Sequence, residues 1–240
     1  MSVEYVTKGS VVNGTATTLS LVAPTLIAND IIIAQICTED NDALSVPSAD
    51  WITISELNGT AATLRNNTYY KRAVAADSGA TFTWTGLAGT AGNMGILTVY
   101  RGARVVGAPI GNISSVATAT ATTVTYATLT PRENASTIVV CGHHGIEGGT
   151  AGAITTTAPS AFTNVVAESS GAAENMTIYQ YWGNNNVGGA TGGLTHTTSV
   201  ATAISTGVLF EILSEGITGG FGVGTEGRIV YPRLNRRGIR

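Results

Sequence analysis

The residues with the most obvious capacity for chemistry are two adjacent histidines, His143 and His144, which follow Cys141 and stand between glycines. The chain has one further histidine, His196, and an acid, Glu147, close by in sequence. His143 or His144 could combine with His196 and Glu147 to hold a transition metal. Adjacent side chains on a strand point to opposite faces, so the two neighbours would rarely chelate one ion together. The glycine bracket favours a turn with exposed histidines, and we predict no metal site.

Nucleophilic catalysis by Cys141 with one of these histidines is disfavoured by the spacing. Residues two or three apart on a strand or turn are poorly aimed for in-line proton transfer, and no orienting partner is evident. The chain has no G-x-S-x-G sequence, and the glycine-rich stretch 188–193 lacks the Lys-Ser/Thr of a phosphate-binding loop. Its acids are too scattered to identify a glycosidase pair. We predict a non-enzymatic protein without catalytic residues or cofactors.

Three carboxylates, Glu39, Asp40 and Asp42, follow a predicted strand that ends at Cys37. Clustered carboxylates could bind Ca²⁺, which prefers several oxygen ligands. The EF-hand spacing, with its glycine and closing glutamate, is absent from this stretch. We therefore interpret the cluster as a solubilising loop at the end of a sheet.

Aromatic residues occupy matching places in the two halves of the chain. They are Tyr69, Tyr70, Tyr179, Tyr181 and Trp182. Such rings could form a platform that stacks on carbohydrate, and β-sandwiches commonly carry sugar sites. Their repetition favours packing in a hydrophobic core, and sugar binding stays the alternative.

Basic residues are concentrated at the C-terminal end. The last thirteen positions carry five of the twelve basic residues and no acid, whereas residues 1–227 hold seven basic and fifteen acidic residues. The stretch 216–227 is half glycine, and aliphatic residues alternate with the arginines after it. We predict an extended arm that binds a neighbouring subunit through Arg228, Tyr231, Arg233, Leu234, Arg236, Arg237 and Arg240. Arginines could also contact nucleic-acid phosphates, but the acidic body favours protein docking.

The elements that would position these residues are β-strands. Charged residues make up only 11% of the chain and hydrophobic residues 43%, with much Thr, Ser, Gly and Ala. Short runs rich in Ile, Val, Thr and Tyr, bounded by turn residues, predict strands and no helix. The predicted strands are 3–6, 17–21, 30–37, 52–57, 68–75, 81–85, 96–101, 122–126, 137–141, 164–168, 176–183, 193–198 and 206–213. In the strand 81–85, Phe82 and Trp84 share one face, which we expect to point inward.

The order of similar segments indicates an internal repeat. Residues 15–19 resemble 120–124, residues 47–51 resemble 159–162, and residues 95–100 resemble 207–212. The fold class predicted is all-β, with two tandem sandwich or jelly-roll-like domains. We place the first repeat at residues 1–114, the second at 115–215, and the glycine-rich linker with the basic arm at 216–240.

The cysteines and the apolar runs bear on redox state and compartment. Cys37 and Cys141 form no C-x-x-C pair, and they could form one disulfide. Because each lies in or beside an apolar strand, we expect two buried free thiols. The N-terminal residues show no secretory signal, and no apolar run is long enough to span a bilayer. We expect no membrane partner.

The chain resembles the β-rich structural proteins of tailed-bacteriophage virions. The resemblance lies in Asp30-Ile-Ile-Ile-Ala, Trp51-Ile, Tyr69-Tyr-Lys-Arg-Ala73, Thr83-Trp84 and Tyr100-Arg-Gly102. It covers the first repeat well; in the second, Tyr-Gln-Tyr-Trp-Gly replaces Tyr-Tyr-Lys-Arg-Ala. The resemblance implies a virion protein assembled in the host cytoplasm, a capsid decoration or accessory tail component that binds copies of itself and other virion proteins. The alternative is a carbohydrate- or receptor-binding module of a tail tip.

Overall fold

The computed structural model describes residues 2–40, 43–59, 64–89, 91–118, 122–145, 156–170, 176–184, 190–191, 193–199 and 204–215. Strands dominate these ranges, which contain no α-helix and one turn of 3-10 helix at Ala75–Asp77. The first half contains β1 (Glu4–Lys8), β2 (Val12–Gly14), β3 (Thr18–Val22), β4 (Ile31–Thr38), β5 (Ile52–Asn58), β6 (Arg65–Arg72), β7 (Thr81–Thr85) and β8 (Asn93–Arg101). The second contains β9 (Ile110–Thr118), β10 (Thr123–Tyr126), β11 (Thr137–Gly145), β12 (Thr156–Thr157), β13 (Thr163–Ser169), β14 (Met176–Asn184), β15 (Leu194–Thr198) and β16 (Ile204–Ile212).

The predicted all-β fold is confirmed, and each predicted strand overlaps an observed one. Three observed strands, β2, β9 and β12, were not predicted. β2 and β12 are three and two residues long, shorter than the runs by which strands are recognised in a sequence. β9 lies on both sides of the predicted repeat boundary at residue 114 and pairs with β16.

The two halves have the same strand order. One large antiparallel sheet runs β1-β8-β4-β6-β5, with β2 also pairing with β8, and the other runs β9-β16-β11-β14-β13 when read from β9. Each half adds a small sheet, β3-β7 in the first and β10-β15-β12 in the second. A shared order is what an internal repeat would give, and descent from a duplication stays a prediction.

The sheets stack in four layers, with the two large sheets in the middle. A hydrophobic cluster that includes Ile31, Ile33, Val139 and Phe210 joins the large sheets to each other. Separate clusters fill the space between each large sheet and its small sheet. Because both faces of a large sheet are covered, every residue of β4 is buried, which explains its continuous apolar run.

Polar contacts also join the halves. Gln35 Nε2 donates a hydrogen bond to the carbonyl oxygen of Gly142 at 2.8 Å, deep between the large sheets. At one edge Lys8 Nζ lies 3.1 Å from Glu168 Oε1, so β1 adjoins β13. At the other edge β5 packs beside β9. The halves are thus related by an approximate twofold axis.

Candidate functional site

The arm residues predicted from the sequence lie outside the described part of the chain. Arg228, Tyr231, Arg233, Leu234, Arg236, Arg237 and Arg240 all follow Glu215, the last residue that the structure describes. Asp42 and Glu147 also lie outside the described residues. The structure therefore tests the prediction for the histidines and describes the surface that such an arm could contact.

The prediction of exposed histidines in a turn is wrong. His143 and His144 lie in β11 and both are fully buried. β11 continues through its glycines because it pairs with both β14 and β16 along its whole length. Gly142 is needed for space: a Cβ atom there would stand 2.1 Å from the Tyr179 hydroxyl oxygen. The glycines that suggested a turn accommodate neighbouring side chains inside a sheet.

The two histidines have separate partners, as their adjacent positions on a strand predicted. His144 Nε2 lies 2.8 Å from His196 Nε2 and links β11 to β15 of the small sheet. Its Nδ1 is hydrogen-bonded to the Ser205 hydroxyl. His143 Nδ1 lies 3.1 Å from the Thr206 hydroxyl oxygen. Of the described members of the conjectured metal set, His144 and His196 are thus brought together.

Burial makes this histidine cluster electrically neutral. It lowers the pKa of His143 to about 3 and that of His196 to about 4. The pKa of His144 is held well below its usual value, first by burial and then by the charges that His196 and His143 would carry. Among the described residues no group of three or more His, Cys, Asp or Glu converges as a metal site would require.

The cysteines are buried and free, as expected. Burial raises the pKa of the Cys141 thiol far above its usual value, and the pKa of Cys37 rises for the same reason. Both groups therefore stay protonated at neutral pH. A protonated thiol is a weak nucleophile.

The aromatic residues serve mainly as core. Tyr69, Tyr179 and Tyr181 are buried, whereas Tyr70 and Trp182 are half-buried and pack against the cluster between the large sheets. The five rings therefore do not form one exposed platform, in agreement with the core interpretation. Tyr70 lines a surface cleft.

This surface cleft has a volume of about 460 Å³ and is formed by residues from the segments 49–52, 70–74 and 107–109. Its apolar rim includes Ile52, which is 49% exposed, and Val74, which is 54% exposed. We refer to it as the Ile52 cleft. Nothing in the sequence pointed to it, because its walls come from segments far apart in the chain and carry no motif.

The charged residues around the Ile52 cleft differ in their exposure and in their partners. The Asp50 side chain is 73% exposed at its rim, and its Oδ2 lies 3.9 Å from Lys71 Nζ. Lys71 is nearly buried, and its Nζ lies 2.6 Å from Asp77 Oδ2, so its charge is compensated inside the protein. The Arg72 guanidinium donates hydrogen bonds to the carbonyl oxygens of Asn29 and Arg104. Among the residues that line the cleft, the acid Asp50 therefore stands beside two cations, Lys71 and Arg72.

The chain is an all-β protein of the multilayer sandwich class, with two halves of equal strand order. Comparison with known protein families, with curated proteins and with solved structures finds no match for it. Within the described ranges, no helix has the length and apolar character needed to cross a bilayer.

Proposed function

We propose that this chain is a non-enzymatic structural protein of a tailed-phage virion, a capsid decoration or accessory tail component. It assembles through its sandwich faces and its arginine-rich C-terminal arm, residues 228–240. The observation that carries the proposal is the separation of charge. Positions 1–227 hold fifteen acidic and seven basic residues, whereas the last thirteen positions hold five arginines and no acid. Opposite charge on two parts of one chain favours contact between copies.

The architecture supports a mechanical role. Four stacked layers bury both faces of the large sheets, and hydrogen bonds between the halves, such as Asn66 Nδ2 to the carbonyl oxygen of Cys141 at 3.1 Å, join the central layers. Separating the halves would expose a large apolar face and several buried polar groups at once, which opposes deformation. Such a body suits a subunit that must hold its shape in a particle.

Deletion of residues 216–240 tests the proposal. The variant should unfold at the same temperature as the full chain, because the proposal assigns residues 216–240 to contacts with a neighbouring subunit. It should be lost from purified particles in immunogold electron microscopy. A control in which all five arm arginines become lysine keeps the charge and should retain most incorporation. Full incorporation of the deleted chain, or absence of the full chain from particles, would contradict the proposal.

The second candidate function is a carbohydrate- or receptor-binding module of a tail tip. It is favoured by Tyr70, whose ring stands on the wall of the Ile52 cleft near the exposed Asp50 carboxylate. A glycan array with the full chain, repeated with Tyr70→Ala and Trp182→Ala, separates the candidates. Specific binding that is lost in either variant would favour this function over a purely structural one.

A further inference from the structure

We propose that Lys71 and Asp77 form an intramolecular isopeptide bond, a covalent modification that ties the end of β6 to the turn before β7. The Lys71 amine attacks the carboxyl carbon of Asp77, and one water molecule is released. A buried amine, a buried carboxyl group and the carboxylate of Asp50 meet at this place. The modification goes beyond the proposed function, because it concerns chemistry within one chain and does not depend on what the chain assembles with.

The two reacting groups are close together and shielded from solvent. Lys71 Nζ lies 2.6 Å from Asp77 Oδ2, and the two side chains are only 6% and 10% exposed. Because a carboxyl oxygen is about 1.2 Å from its carbon, the nitrogen lies within about 4 Å of the atom that it attacks. Holding two reactants this close in one chain replaces a very high concentration of free amine, which offsets the tendency of water to oppose amide formation.

The surroundings of the pair are aromatic. Lys71 Nζ lies 5.8 Å from the centre of the Phe82 ring, and the Phe82 ring packs edge-on against Trp51 at 5.2 Å. Moving one proton from the ammonium to the carboxylate converts the ion pair into a neutral amine and a neutral acid, which cost less free energy to bury than charges do. The neutral forms are the ones that react, since an ammonium has no lone pair with which to attack.

Two neighbouring groups serve the bond-forming step. The backbone N–H of Val74 donates to Asp77 Oδ2 at 2.8 Å, where it stabilises the negative charge that develops on the carboxyl oxygen when the amine adds. Asp50 Oδ2 lies 3.9 Å from Lys71 Nζ, within reach through one water molecule. Asp50 takes a proton from the attacking nitrogen and gives one to the leaving hydroxyl group. The N–C bond forms, the C–O bond breaks, one water leaves, and no oxidant is needed.

The bond would join two layers of the fold. Lys71 lies in β6 of a large sheet, and Asp77 ends the 3-10 turn that leads to β7 of the small sheet. The Ile52 cleft is lined by both Asp50 and Lys71, so the released water has a path to solvent.

Intact-mass spectrometry of the denatured full chain tests the bond. We expect the principal species to be lighter than the sequence requires by the mass of one water molecule. Trypsin cuts after Arg65, Arg72 and Arg101. It should therefore release a branched peptide in which residues 66–72 are joined to residues 73–101, and fragmentation should place the branch at Lys71 and Asp77.

Three variants separate this bond from other losses of water. Lys71→Arg keeps the cation but cannot form the amide, so it should have the full sequence mass. Asp50→Asn keeps both partners and should slow the loss of water after pulse labelling by about 100- to 10,000-fold, as expected when a proton carrier is removed. Lys8→Arg, at the exposed ion pair with Glu168, is the matched control and should leave the mass deficit unchanged.

Two results would overturn the proposal: a full chain that has the complete sequence mass, or a mass deficit that persists in Lys71→Arg. The second result would assign the dehydration to another site, such as a cyclic imide at an aspartate. An unchanged rate in Asp50→Asn would overturn the role of Asp50. The mass and the branched peptide of the unsubstituted chain decide the question even where a variant fails to fold.

Discussion

Acidification from pH 7 to pH 5 should destabilise this protein through its histidines. The chain has three histidines, and all three are buried. Their folded pKa values lie below the ordinary value of about 6.5, because burial penalises the charged ring. The unfolded chain therefore binds protons that the folded chain excludes. Stability is complete above pH 6.5 and falls as the pH drops toward the folded pKa values of about 3 and about 4.

The size of this effect follows from proton linkage. A histidine that titrates near 6.5 when unfolded and stays neutral when folded costs about 2 kcal/mol of stability between pH 7 and pH 5. Three such groups cost about 6 kcal/mol together, which is comparable to the whole stability of many domains. Most aspartates and glutamates titrate below this window in unfolded chains, so the histidines should dominate the slope.

Urea unfolding at pH 7, 6 and 5 measures the effect, and His196→Gln supplies the matched comparison. Removing one of the three histidines should reduce the loss of unfolding free energy between pH 7 and pH 5 by about a third. This holds whatever the variant does to stability at pH 7. Nuclear magnetic resonance of the folded chain gives a second readout, in which the imidazole signals should stay unchanged down to pH 5. A folded histidine that titrates near 6.5, or a slope that His196→Gln leaves unchanged, would refute the burial argument.

Two further substitutions test the packing. Gly142→Ala places a methyl group 2.1 Å from the Tyr179 hydroxyl oxygen. Because overpacking strains a core, the variant should lower the free energy of unfolding by about 1–3 kcal/mol. An unchanged urea midpoint would show that the Tyr179 ring can move away freely. Asp77→Ala removes the carboxylate that lies 2.6 Å from the nearly buried Lys71 ammonium, and it should lower the free energy of unfolding by about 3–5 kcal/mol. Glu168→Ala breaks an exposed ion pair and should lower it by less than about 1 kcal/mol. Thermal denaturation of both variants checks this difference, and equal losses would contradict it.

Strands were predictable wherever the residues alternate or form a short apolar run. Trp84 is buried and Thr81 and Thr85 are exposed, as the alternation in β7 indicated. β9 escaped prediction because its Gly-Asn and Ser-Ser pairs read as a loop. It is a strand because β16 offers an edge with which it can pair. Because β16 lies almost a hundred residues away in the sequence, the residues of β9 alone do not reveal this pairing.

The candidate sites were less predictable for a related reason. The exposed turn assigned to His143 and His144 rested on the flanking glycines, and only the position of Tyr179 explains why Gly142 lies within a strand. The pairing of His144 with His196 depends on how a small sheet packs on a large one. Local sequence contains neither fact.

The stacking of four layers explains the composition of the chain. In an ordinary two-layer sandwich one face of each sheet is solvated and carries charge and threonine. Here both faces of the large sheets are covered, so threonines such as Thr68, Thr98 and Thr177 are buried. One buried threonine joins the halves: the Thr137 hydroxyl donates to the carbonyl oxygen of Val3 at 2.6 Å. Threonine keeps the β-branched shape that strands favour, and its hydroxyl costs far less free energy to bury than a charge does. The low charged fraction of 11% therefore follows from the small share of sheet surface that contacts solvent. In this fold the number of threonines does not indicate how much sheet surface is exposed.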